Sequence, residues 1–211
     1  MFQDLHDRLD ELAIFHNLRS DSLFWAFKRL LASAGEQGID WWVGKGPYYQ
    51  FVTQLYEAHT TDWTSYVRDL VLSVETPCTW YISQGKPIPE EMLRSAKREL
   101  KYLSKMAGIS SAEMKSRYFR MGSGEFAGND GLLPDWNAWE INLEMLFFDR
   151  LNHIEKYGYG LFARHKMFHM EHDEDTARGY VLKPAVFPDP IKAGDLIGYE
   201  LQRQQVIDKT R

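Results

Sequence analysis

Leu23, Phe24, Phe27, Leu30, Leu31 and Ala34 repeat at intervals of three and four residues, and that interval admits one backbone. An α-helix, with 3.6 residues per turn, gathers all six side chains on one face; a strand would divide them between two. Ser20 or Asp21 can cap the start of this helix and Gly35 its end. The same period runs through most of residues 1–156. Phe2, Leu5, Leu9 and Leu12 carry it first. After the loop "GIDWWVGKGP", Pro47 is the expected first helical residue, followed by Tyr48, Phe51, Val52, Leu55 and Tyr56. Trp63, Tyr66, Val67, Leu70 and Val71 face inward behind an Asp62 cap, in a helix that Pro77 breaks. A long helix from near Pro89 to Ala107 stops at Gly108, and "SSAE" at 110–113 has the form of a capping box. Beyond a loop at 122–134, Asp135 is expected to open a helix with Trp136, Trp139, Leu143, Leu146, Phe147, Leu151 and Ile154 inward.

The period changes after "YGYG". "LFARHKMFHM" and "GYVLKPAVF" are short and rich in aromatic and β-branched residues, with "EHDEDTAR" between them, which predicts two strands of a hairpin. The expected fold is therefore mainly α: a helical domain at 1–156, then a β-hairpin and linker at 157–187. Enough apolar material is present for a real core. The chain is 44% hydrophobic with seven Trp, and a folded chain of this length buries roughly 70% of the surface it exposes unfolded. Cys78 stands alone, which excludes an internal disulfide and fits a reducing cytosol. The acids in "MFQDLHDRLDELA" do not form a signal peptide, and no apolar run reaches the ~20 residues of a membrane span. These features predict a cytoplasmic protein with no membrane partner.

Several motifs are weaker than they look. "GSGEFA" at 122–127 matches G-x-G-x-x-A, but it follows an expected helix, whereas a dinucleotide site needs a strand before it. "VGKGP" at 43–47 lacks the first Gly of a phosphate loop and has Gly46 where a Ser or Thr would hold magnesium, so it reads as a turn. His165, His169 and His172 lie near Glu171 and Asp173. On a strand His165 and His169 share a face and His172 points away, so a solvated hairpin is the plainer reading than a zinc site. Cys78 has no base beside it in sequence and reads as core filler.

The basic residues carry more. Arg94, Lys97, Arg98, Lys101 and Lys105 recur at spacings of three and four on the long expected helix, and Lys115, Arg117 and Arg120 follow. Eight basic residues stand against Glu99 and Glu113 between 94 and 120, in a chain whose net charge is -5. Met92, Leu93, Ala96, Leu100 and Leu103 lie on another face, so the basic groups are expected to meet solvent. Such a face can bind nucleic acid or another acidic partner. It can equally be an ordinary solvated face, or pair with acids of the same protein.

"GLFARHKMF", "PDPI" and "DLIGYELQRQQVIDKT" resemble the segment before the nucleotide-binding core in a bacterial group of AAA-plus ATPases, the family known as domain of unknown function 815. "WTSYVRDLVLSVETPC" and "IPEEMLRSAKRELKYLSKMAG" are similar to that family's helical N-terminal region, although "ETPC" replaces a more acidic, Asn-containing turn. The resemblance covers most of 63–210 and is strongest after Tyr157. It implies that residues 188–211 begin an α/β ATPase domain, cut before its phosphate loop. It also implies that Leu196, Ile197, Gly198 and Tyr199 lie along the adenine in the full-length parent. ATP and magnesium would be cofactors of that parent, and none is expected for this chain, which would itself be inactive. The partners implied are the missing ATPase domain and an unknown protein client, with nucleic acid less favoured. The chain would serve client recognition or packing on the motor; the alternatives are a stand-alone helical interaction module, or a nucleic-acid-binding module using the stripe at 94–120.

Overall fold

The computed structural model describes residues 2–35, 41–121, 133–165, 167–172, 179–185, 200–201 and 204–205. The chain divides into two compact units, Met1–Arg164 and His165–Arg211. The architecture is mainly helical with one small antiparallel sheet.

The first unit begins with α1 (Phe2–Asp10), which buries Phe2, Leu5 and Leu9, and a 3-10 turn (His16–Ser20). In α2 (Ser22–Gly35) all six residues of the apolar period are buried. The N–H of Phe24 donates to Asp21 Oδ1 at 2.8 Å, so Asp21 satisfies an orphan donor of the first turn. α3 (Trp41–Glu57) starts earlier than expected, and Pro47 lies inside it. "VGKGP" therefore has a helical backbone and is not a turn. A proline this near a helix start removes one backbone hydrogen bond. Tyr48, Phe51, Val52 and Leu55 are fully buried just beyond it, and Tyr48 donates its hydroxyl to Pro134 O at 2.7 Å.

α4 (Trp63–Ser73) is capped by Asp62, whose side chain accepts from Ser65 N. Pro77 opens a further helix rather than only ending this one. In α5 (Pro77–Ser83) the Thr76 and Thr79 side chains each accept from the other's backbone N–H, a capping box with Pro at its first turn. α6 (Glu90–Ala107) runs between Pro89 and Gly108, and the N–H of Glu113 donates to Ser110 Oγ at 3.1 Å at the start of α7 (Ser111–Met121).

The larger departure lies at 135–142. Asp135 does not open a helix; the helix begins at Leu143, capped by Asn142, as α8 (Leu143–Asn152). The preceding segment is extended and forms a parallel bridge between Asp62 and Asn137. Its polar groups find partners outside a helix: Asn137 N donates to Thr61 O at 2.7 Å, Trp63 N to Asn137 O at 3.0 Å, and Trp139 N to Thr64 Oγ1 at 2.9 Å. With those groups satisfied, nothing requires helical hydrogen bonds there. Trp136 is buried, whereas Trp139 is 42% exposed. Short helices α9 (Ile154–Tyr157) and α10 (Leu161–Arg164) complete the unit.

Five aromatic side chains join its centre. Phe27 stacks on Trp63 at 4.4 Å. Phe51 presents an edge to Trp63 at 5.1 Å and to Trp136 at 5.0 Å, and Tyr48 lies 5.2 Å from Trp136. The helix end of α6 is tied into this cluster, because its last carbonyls have no helical donors. Trp63 Nε1–H donates to Met106 O at 3.1 Å and Thr64 Oγ1–H to Ala107 O at 2.8 Å, and two residues past the helix Trp136 Nε1–H donates to Ile109 O at 3.0 Å.

The second unit contains β1 (Phe168–His172) and β2 (Tyr180–Pro184), antiparallel, with Met170 opposite Leu182 and His172 opposite Tyr180. The first expected strand is shorter than predicted. Leu161–Arg164 is a helical turn, closed by Phe162 N to Tyr159 O and Ala163 N to Gly160 O, both 3.2 Å. Gly158 and Gly160, at φ +64° and +58°, turn the chain into it through left-handed conformations that favour glycine. Among the described residues, no helix is long and apolar enough to cross a membrane.

Candidate functional site

Helix α6 buries Ala96, Glu99, Leu100, Leu103, Met106 and Ala107 and turns Arg94, Lys97, Arg98, Lys101 and Lys105 to solvent. At about 100° per residue these five fall within an arc of roughly 100°, and Arg94 to Lys105 spans about 17 Å of axis. Arg94 pairs with Glu91 at 3.1 Å, both side chains well exposed. Lys97 Nζ lies 5.8 Å from the Phe148 ring. Among the described residues, Arg98, Lys101 and Lys105 make no ion pair. The row is held on a rigid support, since α6 is anchored at its end by Trp63 and Thr64 and in its middle by Glu99.

Two residues counted with the basic run have other places. Lys115 is only 8% exposed and binds Asp135 Oδ1 at 2.8 Å. Ser111 Oγ donates to the same oxygen at 2.8 Å. The buried Lys115 ammonium therefore meets an exposed carboxylate at the surface, and together with Ser111 it holds the Asp135 carboxyl below the ordinary carboxylate range. Glu99 is likewise absent from the stripe: at 2% exposure its carboxylate accepts from the backbone of the α1–α2 connection. The side chains of Arg117 and Arg120 lie outside the described residues.

Beside the row runs a groove whose other residues come from distant parts of the chain. A cavity of about 370 Å³ is lined by Tyr102 and Lys105 of α6, Leu5 of α1, Glu113 of α7 and Glu140 of the extended segment. A second, more open depression of about 380 Å³ continues along Arg98, Lys101 and Glu144 and shares Tyr102, Ser104, Lys105 and Glu140 with the first. Spacing along α6 shows the basic residues but not this acidic counterpart. Glu113 and Glu140 are separated from Lys105 by loops and by a segment whose helical period was misleading, so no local pattern joins them.

The other motifs are dispersed. Leu196, Ile197, Gly198 and Tyr199 lie outside the described residues, as does "GSGEFA". His165 precedes β1, and His169 and His172 project to opposite faces of it. His169 Nε2 is 2.9 Å from Glu171 Oε1 and Lys183 Nζ is 2.6 Å from Glu171 Oε2; Lys183 first, then His169, lowers the Glu171 carboxyl by hydrogen bonding. His172 sets its ring edge on Tyr180 at 5.4 Å. Among the described residues, no three His, Cys, Asp or Glu side chains are placed to hold a metal ion. Cys78 is fully buried, and burial, with the Glu99 carboxylate nearby, pushes its thiol up to about 11. A thiol so raised is a poor nucleophile.

No protein-family model matches this chain, and no curated protein or solved structure is similar to it.

Proposed function

We propose that this chain is the helical recognition region of a cytoplasmic AAA-plus ATPase, presenting the basic face of α6 to an acidic client while ATP is bound and hydrolysed by a neighbouring domain of the parent protein. The observation that carries client recognition is the row Arg98, Lys101 and Lys105: exposed, rigidly mounted, and without ion pairs among the described residues. The ATPase context rests on "PDPI" and "DLIGYELQRQQVIDKT", which resemble the lead-in to an AAA-plus core. In that context Leu196, Ile197, Gly198 and Tyr199 would contribute backbone groups to the adenine, and magnesium would be held by residues beyond them.

The chain by itself is expected neither to hydrolyse ATP nor to bind it appreciably. A few backbone hydrogen bonds of ~1 kcal/mol each do not offset an association cost of ~4–15 kcal/mol, and the phosphate contacts that dominate ATP binding are supplied by a phosphate loop. Two measurements test this. Calorimetric titration with Mg-ATP should give no binding heat. The native reading frame should continue from Arg211 into G-x-x-x-x-G-K-[ST] within about 40 residues. A stop codon directly after Arg211 would overturn the ATPase reading, and micromolar ATP binding abolished by Ile197→Asp would show a nucleotide site complete in this chain.

A further inference from the structure

The groove beside α6 combines features that a simple phosphate-binding face does not need. Its cavity, about 370 Å³, falls in the range of pockets that enclose a ligand group and has room for one large aromatic or aliphatic side chain. Leu5, Tyr102 and Ile109 give it apolar surface. Lys105 reaches it from one helix while Glu113 and Glu140 reach it from other elements, and among the described residues these three make no ion pair with one another. Asp4, which also lines the hollow, is held by Arg8 at 3.5 Å, whereas Lys105, Glu113 and Glu140 are still open to an outside partner. The neighbouring depression extends the basic side through Arg98 and Lys101 and the acidic side through Glu144.

We propose that this groove binds a peptide segment of a partner protein, which inserts one large apolar side chain against Tyr102, turns carboxylates toward Arg98, Lys101 and Lys105, and offers a basic group to Glu113 and Glu140. The inference rests on the recognition role proposed above and names the chemistry of the client. An apolar centre with a charged rim is the anatomy of a protein interface, and a buried anchor side chain supplies most of its affinity. A nucleic acid fits less well. Its phosphates would gain from the three basic residues but be repelled by Glu91, Glu140 and Glu144 beside them, and counterion release scales with the phosphates neutralised.

A phage library of random 12-residue peptides panned on the full chain tests this, followed by fluorescence anisotropy of one labelled selected peptide. The selected sequences should share an aromatic or large aliphatic residue flanked by Asp or Glu. Replacing that residue by serine should weaken binding about tenfold or more. Lys101→Glu/Lys105→Glu should do the same, and so should Glu140→Lys; these positions are exposed, and circular dichroism should show each variant folded. Acidic peptides with no shared apolar residue, lost with Lys101→Glu/Lys105→Glu but untouched by Glu140→Lys, would overturn the groove and leave the basic-face recognition standing. Failure to enrich any peptide sensitive to Lys101→Glu/Lys105→Glu would overturn both. An oligo-dT strand that binds more tightly than every selected peptide, with affinity falling steeply in salt, would replace the peptide by nucleic acid.

Discussion

Glu99 holds Ile14 by both carboxylate oxygens: the Ile14 N–H lies 3.0 Å from Oε2 and 3.2 Å from Oε1. Ala13 N donates to Oε1 and Phe15 N to Oε2, each at 3.0 Å. One buried anion thus serves three consecutive backbone donors where the chain leaves α1, and joins that turn to the middle of α6. Charge-assisted hydrogen bonds of this kind contribute about 1.5–3 kcal/mol each, and abandoned buried donors are costly. Glu99→Ala should therefore destabilise the fold by about 3 kcal/mol or more. Glu99→Gln keeps one acceptor oxygen but sets an NH2 donor against backbone N–H donors, so it should not recover most of that loss. Urea midpoints at constant m decide it; an Ala variant within about 0.5 kcal/mol of wild type would mean the contacts are dispensable.

Cys78 reports on the same region. Its thiol, raised to about 11 by burial first and Glu99 second, should resist iodoacetamide at pH 8 in the native state and react once unfolded. The folded value lies above the unfolded one, so this group favours the folded state below about pH 9. That contribution is lost as pH climbs from there through about 11. Cys78→Ser should flatten the alkaline fall of stability, which a pH series of thermal melts will show.

Lys115 and Asp135 titrate at the other end of the scale. Because the Asp135 carboxyl is depressed by Lys115 and Ser111, its stabilisation is present above its ordinary value near 4 and disappears as pH falls through the lowered one. Asp135→Asn should cost at most about 1 kcal/mol at pH 7, since it removes the charge facing the Lys115 ammonium but leaves an acceptor oxygen, and solvent around the exposed carboxylate screens the pair. Its difference from wild type should shrink below about pH 4. An unchanged difference down to pH 2 would mean that the ion pair is not its source.

Gly160 tests close packing. At φ +58° an added Cβ would collide with the Glu75 side chain, its Oε1 first. Gly85 has a similar φ of +63° but nothing within 4 Å of such an atom. Both alanine variants bear the left-handed cost of about 1 kcal/mol, so Gly160→Ala should be the more destabilising of the two. Adding Glu75→Ala should remove the excess; if it does not, the backbone rather than Glu75 sets the limit.

The helices that were legible from sequence are those whose apolar residues and caps coincide. Asp21, Asp62 and Ser110 each stand directly before a clear period, and each makes the capping bond its type allows. Where burial has another cause, the period misleads. Trp136 and Leu143 are both buried, but Trp136 reaches the core from an extended strip whose hydrogen bonds go to Thr61 and Thr64, residues far away in sequence. The candidate site divides along the same line. Its basic row was legible because it lies on one helix with a regular period. Its acidic side was not, because Glu113 and Glu140 meet Lys105 only through tertiary packing, and Lys115 was counted as exposed because its partner, Asp135, lies 20 residues further along the chain.

The insertion of Trp136 between Tyr48, Phe51 and Phe27 also has a temporal meaning. The early helices surround a space that a residue made about 70 positions after Trp63 must fill. At ribosomal speeds of roughly 5–20 residues per second, the nascent chain waits about 4–14 s between presenting Trp63 and presenting Trp136. Throughout that interval the Phe27 and Phe51 rings lack one neighbour, and once α6 has been made, Ile109 O just past its end waits for the indole that binds it. The newborn polypeptide thus passes through a stage with an apolar, half-built centre, which closes only when Trp136 has been made.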